Sequence, residues 1–288
     1  VALETVQKVL KVSRFRFWIY AAGPYVVGYT LGASEFNDFL RPEYYIYLIY
    51  FFIPANILIY GVNDYFDVET DVLNPKKSSK EMRVVGEDRV RLRRLLFGVL
   101  GVSFALMLIQ DNVARLLFGG FLFLSIFYSA PPVRFKSKPF LDFASNYLYI
   151  MPGVFGHYIA SGRLPEPLIL LAGFLHISAM HIFSAVPDIE FDRAAGIKTT
   201  PVVIGRKNAL MLVTVFWTGL AYLAIILTGF HPLSFLALVY PMVPISVLVF
   251  GLDINRVYWL LPYINTSLGG LLWLGLVNHK IIPFFPKF

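Results

Sequence analysis

The chain has 288 residues, is 57% hydrophobic and only 15% charged, and contains no cysteine. A mean hydropathy of +0.66 is too apolar for a water-facing surface and several apolar runs reach spanning length, so the chain reads as an integral membrane protein without disulfides or thiolate metal sites. The formal net charge of +7 would point to nucleic acid in a soluble domain, but in a membrane protein the distribution of Lys and Arg sets topology, and no nucleic-acid partner is expected.

At the amino-terminal end, Leu3, Val6 and Leu10 recur at helical spacing among polar residues. Lys8, Lys11, Arg14 and Arg16 precede an apolar run with no small-residue cleavage site behind it. Residues 1–16 therefore predict a short interfacial helix rather than a signal peptide. Breaking the remaining apolar runs at polar or Pro/Gly clusters gives nine candidate spans, roughly 17–33, 44–62, 92–109, 112–130, 141–161, 167–186, 208–229, 232–251 and 257–277. All are expected to be helices, because backbone in lipid must satisfy itself and no alternating barrel pattern is present. With the amino terminus inside, one side carries twenty of the twenty-five Lys and Arg residues, which assigns that side to the cytoplasm. The longest polar connection, 63–91, leaves no room for a soluble domain. The expectation is an all-α, polytopic protein of the cell membrane, a single membrane domain over 1–288 with about nine transmembrane helices around a central cavity. Its motif-bearing connections, 63–91 and 187–207, lie on the cytoplasmic side.

Where the second apolar run stops, the chain reads Asn63-Asp64-Tyr65-Phe66-Asp67-Val68-Glu69-Thr70-Asp71. A second acidic run, Asp188-Ile189-Glu190-Phe191-Asp192, follows the sixth. If the helix continues past Asn63, then Asp64, Asp67 and Asp71 share one face, and Asn63 pairs with Asp67 as Asp188 does with Asp192, at i and i+4. Oxygen-only donors at this density suit a hard divalent ion, Mg²⁺ in particular, which is usually shared with substrate phosphates. Solvated charges beside the membrane are the bland alternative for either run alone; two such runs on one membrane side argue for a site.

Basic residues surround both runs. Lys76, Lys77, Lys80 and Arg83 follow the first, Arg193 and Lys198 follow the second, and Tyr128-Ser129-Ala130-Pro131-Pro132-Val133-Arg134-Phe135-Lys136 closes the fourth span on the same side. The positive-inside rule alone would place them there. Beside a metal-bound diphosphate, they would also take the remaining oxygens. Among forty-eight aromatic residues, Tyr65 and Tyr128 stand nearest the polar clusters, where a π face could steady a carbocation. Asn56 lies seven residues before Asn63, and His181 seven before Asp188, each on nearly the same helix face as the acid run. Asp142 and Asn146 are an i, i+4 pair at the start of the fifth span. These four are candidates to line the substrate cavity, with helix–helix hydrogen bonding and a helix-start role as the competing readings.

The spacing Asn63-Asp64-x-x-Asp67-x-x-x-Asp71, with Asp188-x-x-x-Asp192 four spans later, resembles the paired signatures of the UbiA superfamily of intramembrane prenyltransferases. The likeness covers most of the chain. It implies that Asn63, Asp64, Asp67, Asp71, Asp188 and Asp192 bind two Mg²⁺ ions on a polyprenyl diphosphate donor, with Arg83, Arg134, Lys136 and Lys198 holding the diphosphate. Asp67, Asp192, Lys136 and Tyr128 are then the catalytic candidates, and the partners are the donor, a lipophilic acceptor and membrane lipid. Val84 stands where a proline often follows the first arginine, and the Tyr128-to-Lys136 spacing is longer than in the aromatic-acid transferases. Phe140-Leu141-Asp142, Ala179-Met180-His181 and Pro187-Asp188-Ile189-Glu190 look most similar to lycopene-elongase-type members; the Ser129-to-Pro132 form is shared with members that prenylate ether lipids or tetrapyrroles. A cation transporter would be expected to hold its acids near the bilayer midplane, and a CDP-alcohol phosphotransferase would carry an Asp-Gly step that is not present near Asp64 to Asp71; both remain as alternative readings.

Overall fold

In lipid every backbone polar group must find a partner within the protein, and every regular element among the described residues is accordingly helical. The structure is a computed structural model and describes residues 12–67 and 87–282. Residues 1–11 of the expected interfacial helix lie outside the described residues, as do Asp71, Lys76, Lys77, Lys80 and Arg83. In chain order the helices are α1 (Ile19–Gly32), α2 (Pro42–Phe52), α3 (Pro54–Phe66), α4 (Glu87–Leu108), α5 (Asn112–Phe127), α6 (Leu141–Ala144), α7 (Met151–Ser161), α8 (Pro167–Ala185), α9 (Ile189–Ala194), α10 (Thr200–Leu227), α11 (Val239–Phe250) and α12 (Ile254–Lys280).

Among the described residues, five helical stretches are long and apolar enough to cross a membrane: Pro42–Phe66, Pro167–Ala194, Thr200–Leu227, Pro232–Phe250 and Ile254–Lys280. The apolar α5 is shorter, at 16 residues. The expected spans at 17–33 and 92–109 are helical as α1 and α4. The span expected over 141–161 is not one helix. It runs as α6, a 3-10 stretch Ser145–Tyr149, and α7, for a local reason. Asn146 Nδ2 and Ser145 Oγ donate to the carbonyl of Asp142 at 2.6 and 3.3 Å, and Pro152 has no N–H for the carbonyl four residues earlier. The span expected from 208 starts instead at Thr200 and carries a kink at Gly205, whose φ of 80° and ψ of 160° belong to a region open essentially to glycine alone.

Breaks of this kind are repaired by side chains. Pro54 ends α2 at Ile53, and Asn56 Nδ2 donates to the carbonyls of Phe51 and Phe52, both at 2.9 Å. Asn56, expected at the cavity, is thus 0% exposed and completes the backbone of its own span. At the other end of α4, Arg115 donates to the carbonyls of Met107, Leu108 and Gln110, while Asp111 accepts from the N–H groups of Val113 and Ala114 to cap α5.

The chain divides into two compact units. The first contains α1 to α5 and α7. Its centre is a dry aromatic cluster in which Tyr47, Tyr50, Phe51, Phe118, Phe121 and Phe155 pack edge to face or tilted, with Phe118 and Phe155 centroids 5.4 Å apart. Helices α1 and α7 approach backbone to backbone through small residues: a Cβ built on Gly28 would meet the carbonyl oxygen of Gly153 at 2.0 Å. Close small-residue contact is how membrane helices gain packing where lipid removes the hydrophobic drive.

The second unit contains α6 and α8 to α11, with α12 as far as Leu276. Its core gathers Phe183, Trp217, Tyr240, Val213, Ile182 and Leu261. Asp142 is 0% exposed and accepts from Thr200 twice, at Oδ2 from the N–H (2.6 Å) and at Oδ1 from the hydroxyl (2.5 Å). The hydroxyl of Thr200 in turn accepts from the N–H of Phe140 at 2.6 Å. Asp142, also expected at the cavity, is therefore the buried cap of α10 and ties that helix to α6. Asn146 belongs to the same local network.

Two outcomes are expected from this packing. Gly28→Ala should destabilise by about 1–3 kcal/mol through overpacking against Gly153, lowering Tm in detergent, whereas Gly98→Ala, whose added Cβ meets nothing within 4 Å, should hold or slightly raise it. Asp142→Ala should cost about 3 kcal/mol by stranding the N–H and hydroxyl of Thr200, and Asp142→Asn, which keeps one acceptor, should cost less. Equal Tm values for Asp142→Ala and Gly98→Ala would contradict the capping role.

Candidate active site

Helix α3 ends in the acid run. Asn63 and Asp64 lie in its last turn and Asp67 is its C-cap, with the N–H of Asp67 donating to the carbonyl of Asn63 at 3.0 Å. The helix thus continues three residues past Asn63, far enough to put Asp64 and Asp67 one turn apart on one face. Both acids are buried, at 3% and 5% exposure. A helix C-terminus carries negative potential from its unpaired carbonyls, so carboxylates there need cations nearby.

Two arginines supply them. Arg14 Nη2 donates to Asp64 Oδ1 at 3.0 Å, and its guanidinium lies over the ring of Tyr60, 4.7 Å from the centroid. Arg134 Nη2 donates to Asp67 Oδ1 at 3.2 Å. The hydroxyl of Ser129 donates to Asn63 Oδ1 at 3.0 Å, and Arg89 from the first turn of α4 stacks on Tyr65 at 4.7 Å. Tyr128 caps the end of α5 and is half-buried. The first unit therefore brings together Asn63, Asp64, Asp67, Ser129 and Arg134, with Arg14 as a member that local sequence does not disclose. Arg14 is fifty residues from Asp64, and its only signal is a place among basic residues before the first span.

In the second unit, α8 ends at Ala185, a short 3-10 turn Val186–Asp188 follows, and α9 begins. Asp188 is the N-cap of α9 and Asp192 lies in its first turn, both half-buried. The hydroxyl of Thr199 donates to Asp192 Oδ2 at 3.3 Å, and the N–H of Ile197 donates to the Asp192 carbonyl at 2.8 Å. Lys198 is exposed in the connection between α9 and α10. Lys136 is half-buried in a 3-10 turn, Phe135–Ser137. His181 is half-buried on α8, beside the core residues Ile182 and Phe183. Asp71 and Arg83 lie outside the described residues.

Among the described residues no three His, Asp or Glu side chains converge on one point in the way a wholly protein-built metal cage requires. The donors present are carboxylates and a carboxamide, oxygen throughout. That chemistry fits Mg²⁺, which binds through one or two carboxylates and takes its other ligands from water and substrate phosphates.

The family model of the UbiA prenyltransferase family matches residues 21–265. A lycopene elongase/hydratase of Haloferax volcanii is 40% identical over 92% of this chain and 86% of its own length, and one of Haloarcula japonica is 40% identical over 90% and 87%. A digeranylgeranylglyceryl phosphate synthase of Methanocaldococcus jannaschii is 25% identical over 79% of this chain and 76% of its own. Among solved structures, a UbiA homolog from Archaeoglobus fulgidus bound to DMAPP and Mg²⁺ superposes with a TM-score of 0.70 at 22% identity, covering 96% of this chain and 100% of that one. The fold, the oxygen-donor helix end and the matched span together identify this chain as a membrane-embedded member of the UbiA prenyltransferase family.

Proposed function

We propose that this protein transfers an isoprenyl group from an allylic diphosphate to a lipophilic acceptor within the membrane, releasing diphosphate. The observation that carries this reading is the end of α3: two buried carboxylates on one helix face, each with an arginine at hydrogen-bond distance. A purely structural helix end has no use for two buried acids and two imported cations. Membership of a prenyltransferase family supports the same reaction class.

Asn63, Asp64 and Asp67, and Asp188 and Asp192, are the residues that would hold two Mg²⁺ ions, whose chemistry is to neutralise the charge that builds on the diphosphate as it leaves. Arg134, Lys136 and Lys198, with Arg83, take the remaining phosphate oxygens and so favour departure. The C1–O bond of the donor breaks with its electron pair on the diphosphate. The π electrons of an acceptor double bond then form the new C–C bond, leaving a tertiary cation. Loss of a proton from that cation gives an elongated alkene; capture of water followed by loss of a proton gives a tertiary alcohol. Tyr128, at the end of α5, presents a π face to developing positive charge. Apolar helices exclude bulk water from the first step, which keeps the allylic cation for the acceptor.

For the acceptor, we favour an acyclic polyene of the lycopene type, because the relatives at 40% identity are named lycopene elongase/hydratases. The chain acts as one domain with its amino terminus and site on the cytoplasmic side, a placement supported by the Lys and Arg asymmetry.

The test uses purified protein in lipid nanodiscs with labelled dimethylallyl diphosphate, offered lycopene and geranylgeranylglyceryl phosphate in competition. The expected result is Mg²⁺-dependent diphosphate release, a C5 unit added to lycopene, and loss of turnover on chelation. Asp67→Ala and Asp192→Ala should each lower kcat by at least about 100-fold. Turnover without divalent metal, or full activity in either variant, would overturn the mechanism, and labelling of the ether lipid alone would overturn the acceptor.

A further inference from the structure

Arg14 and Arg134 share an unusual backbone state. Their φ angles are 51° and 46°, in the left-handed region, and among the described non-glycine residues only Phe140 and Phe230 also have positive φ. An L-residue pays steric energy there through its Cβ, and such conformations persist where the surroundings over-determine them, commonly at functional sites. The two arginines arrive from opposite directions in the chain, fifty residues before Asp64 and sixty-seven after Asp67. Both are aimed at the same helix end. The side chains they meet are 3% and 7% exposed, so neither acid can be left without a cation.

A metal ion approaching Asp64 or Asp67 must therefore compete with a guanidinium already in place. Once displaced, that guanidinium stands beside the metal with a planar fork of donors suited to phosphate oxygens. We propose that Arg14 and Arg134 are place-holding cations, which neutralise Asp64 and Asp67 in the empty protein and pass to the diphosphate when metal and diphosphate arrive together. Arg14 thereby becomes a diphosphate ligand that no local motif marks. The consequence is coupling: metal alone binds weakly, diphosphate alone binds weakly, and each raises the affinity for the other by the same factor. This rests on the reading that the α3 acids bind metal for a diphosphate.

The experiment measures bound Mn²⁺ by electron paramagnetic resonance on the full chain in nanodiscs, with and without inorganic pyrophosphate, and needs no turnover. In the unaltered protein, pyrophosphate should tighten Mn²⁺ binding by about tenfold or more, the scale of one charge-assisted hydrogen bond exchanged. Arg134→Gln should tighten the binding of Mn²⁺ alone by a similar factor and shrink the enhancement by pyrophosphate; Arg14→Gln should do the same. If Arg14→Gln does not fold, Arg134→Gln carries the test, since the Arg134 side chain is 35% exposed and its loss opens Asp67 to water. Unchanged or weaker binding of Mn²⁺ alone in Arg134→Gln would overturn the exchange and leave the arginines as permanent structural counter-ions. Asp67→Asn separates the two levels: it should abolish Mn²⁺ binding with pyrophosphate present, and persistence of that binding would overturn the site itself.

Discussion

Negative charge at the carboxyl end of a membrane helix is the constraint on which the first unit depends. The last turn of α3 already concentrates unpaired carbonyls, and Asp64 and Asp67 add two buried carboxylates to it. Breaking a buried ion pair from one side typically costs about 3–5 kcal/mol, so the chain must import cations from wherever they can be held. The segment before α1 therefore turns at Arg14, and the segment after α5 turns at Arg134 to meet the same helix end. Ser129 is brought in beside them and orients the carboxamide of Asn63. The close packing of α1 on α7 fixes the helix that follows Arg14 at a backbone contact with no slack.

The same logic of compulsory partners governs the helix breaks. Lipid offers no hydrogen bonds, so every interruption of a ladder must be completed by a side chain or another element. Asn56 completes the α2–α3 junction, Arg115 the end of α4, and Asp142 the start of α10. Asn56 and Asp142 look functional in sequence because polar atoms in apolar runs are costly. Their partners show that much of the cost is offset by backbone groups that would otherwise be stranded.

The acid run after α3 was legible because four carboxylates stand out in so apolar a chain, and the family was legible from two such runs at a set separation. Asn56 and Asp142 were visible as anomalies, but their roles were not. The partner of Asp142 is Thr200, fifty-eight residues onward, a pairing that no local pattern encodes. Arg14 was hidden for the same reason: one basic residue among several before a span is indistinguishable from a topological signal until its carboxylate is in view. Hydropathy marked 141–161 as one apolar run and missed its break, since a 3-10 stretch can be as apolar as the helix it replaces.

The connection from α9 into α10 has a mechanical character of its own. Gly196, with φ of 70°, and Gly205, with φ of 80° and ψ of 160°, are joints that glycine forms at little steric cost, the second in a region open essentially to glycine alone. Thr200 lies between them, pinned to Asp142 by two hydrogen bonds. The segment is thus a pair of short levers about a fixed fulcrum, one bearing Lys198 and the other leading to the exposed Arg206 and Lys207. Because Ile197 and Thr199 of the same segment also bond Asp192, the arm that bears Lys198 cannot be re-aimed at Gly196 without moving that acid, whereas the stretch beyond Gly205 turns on its own joint.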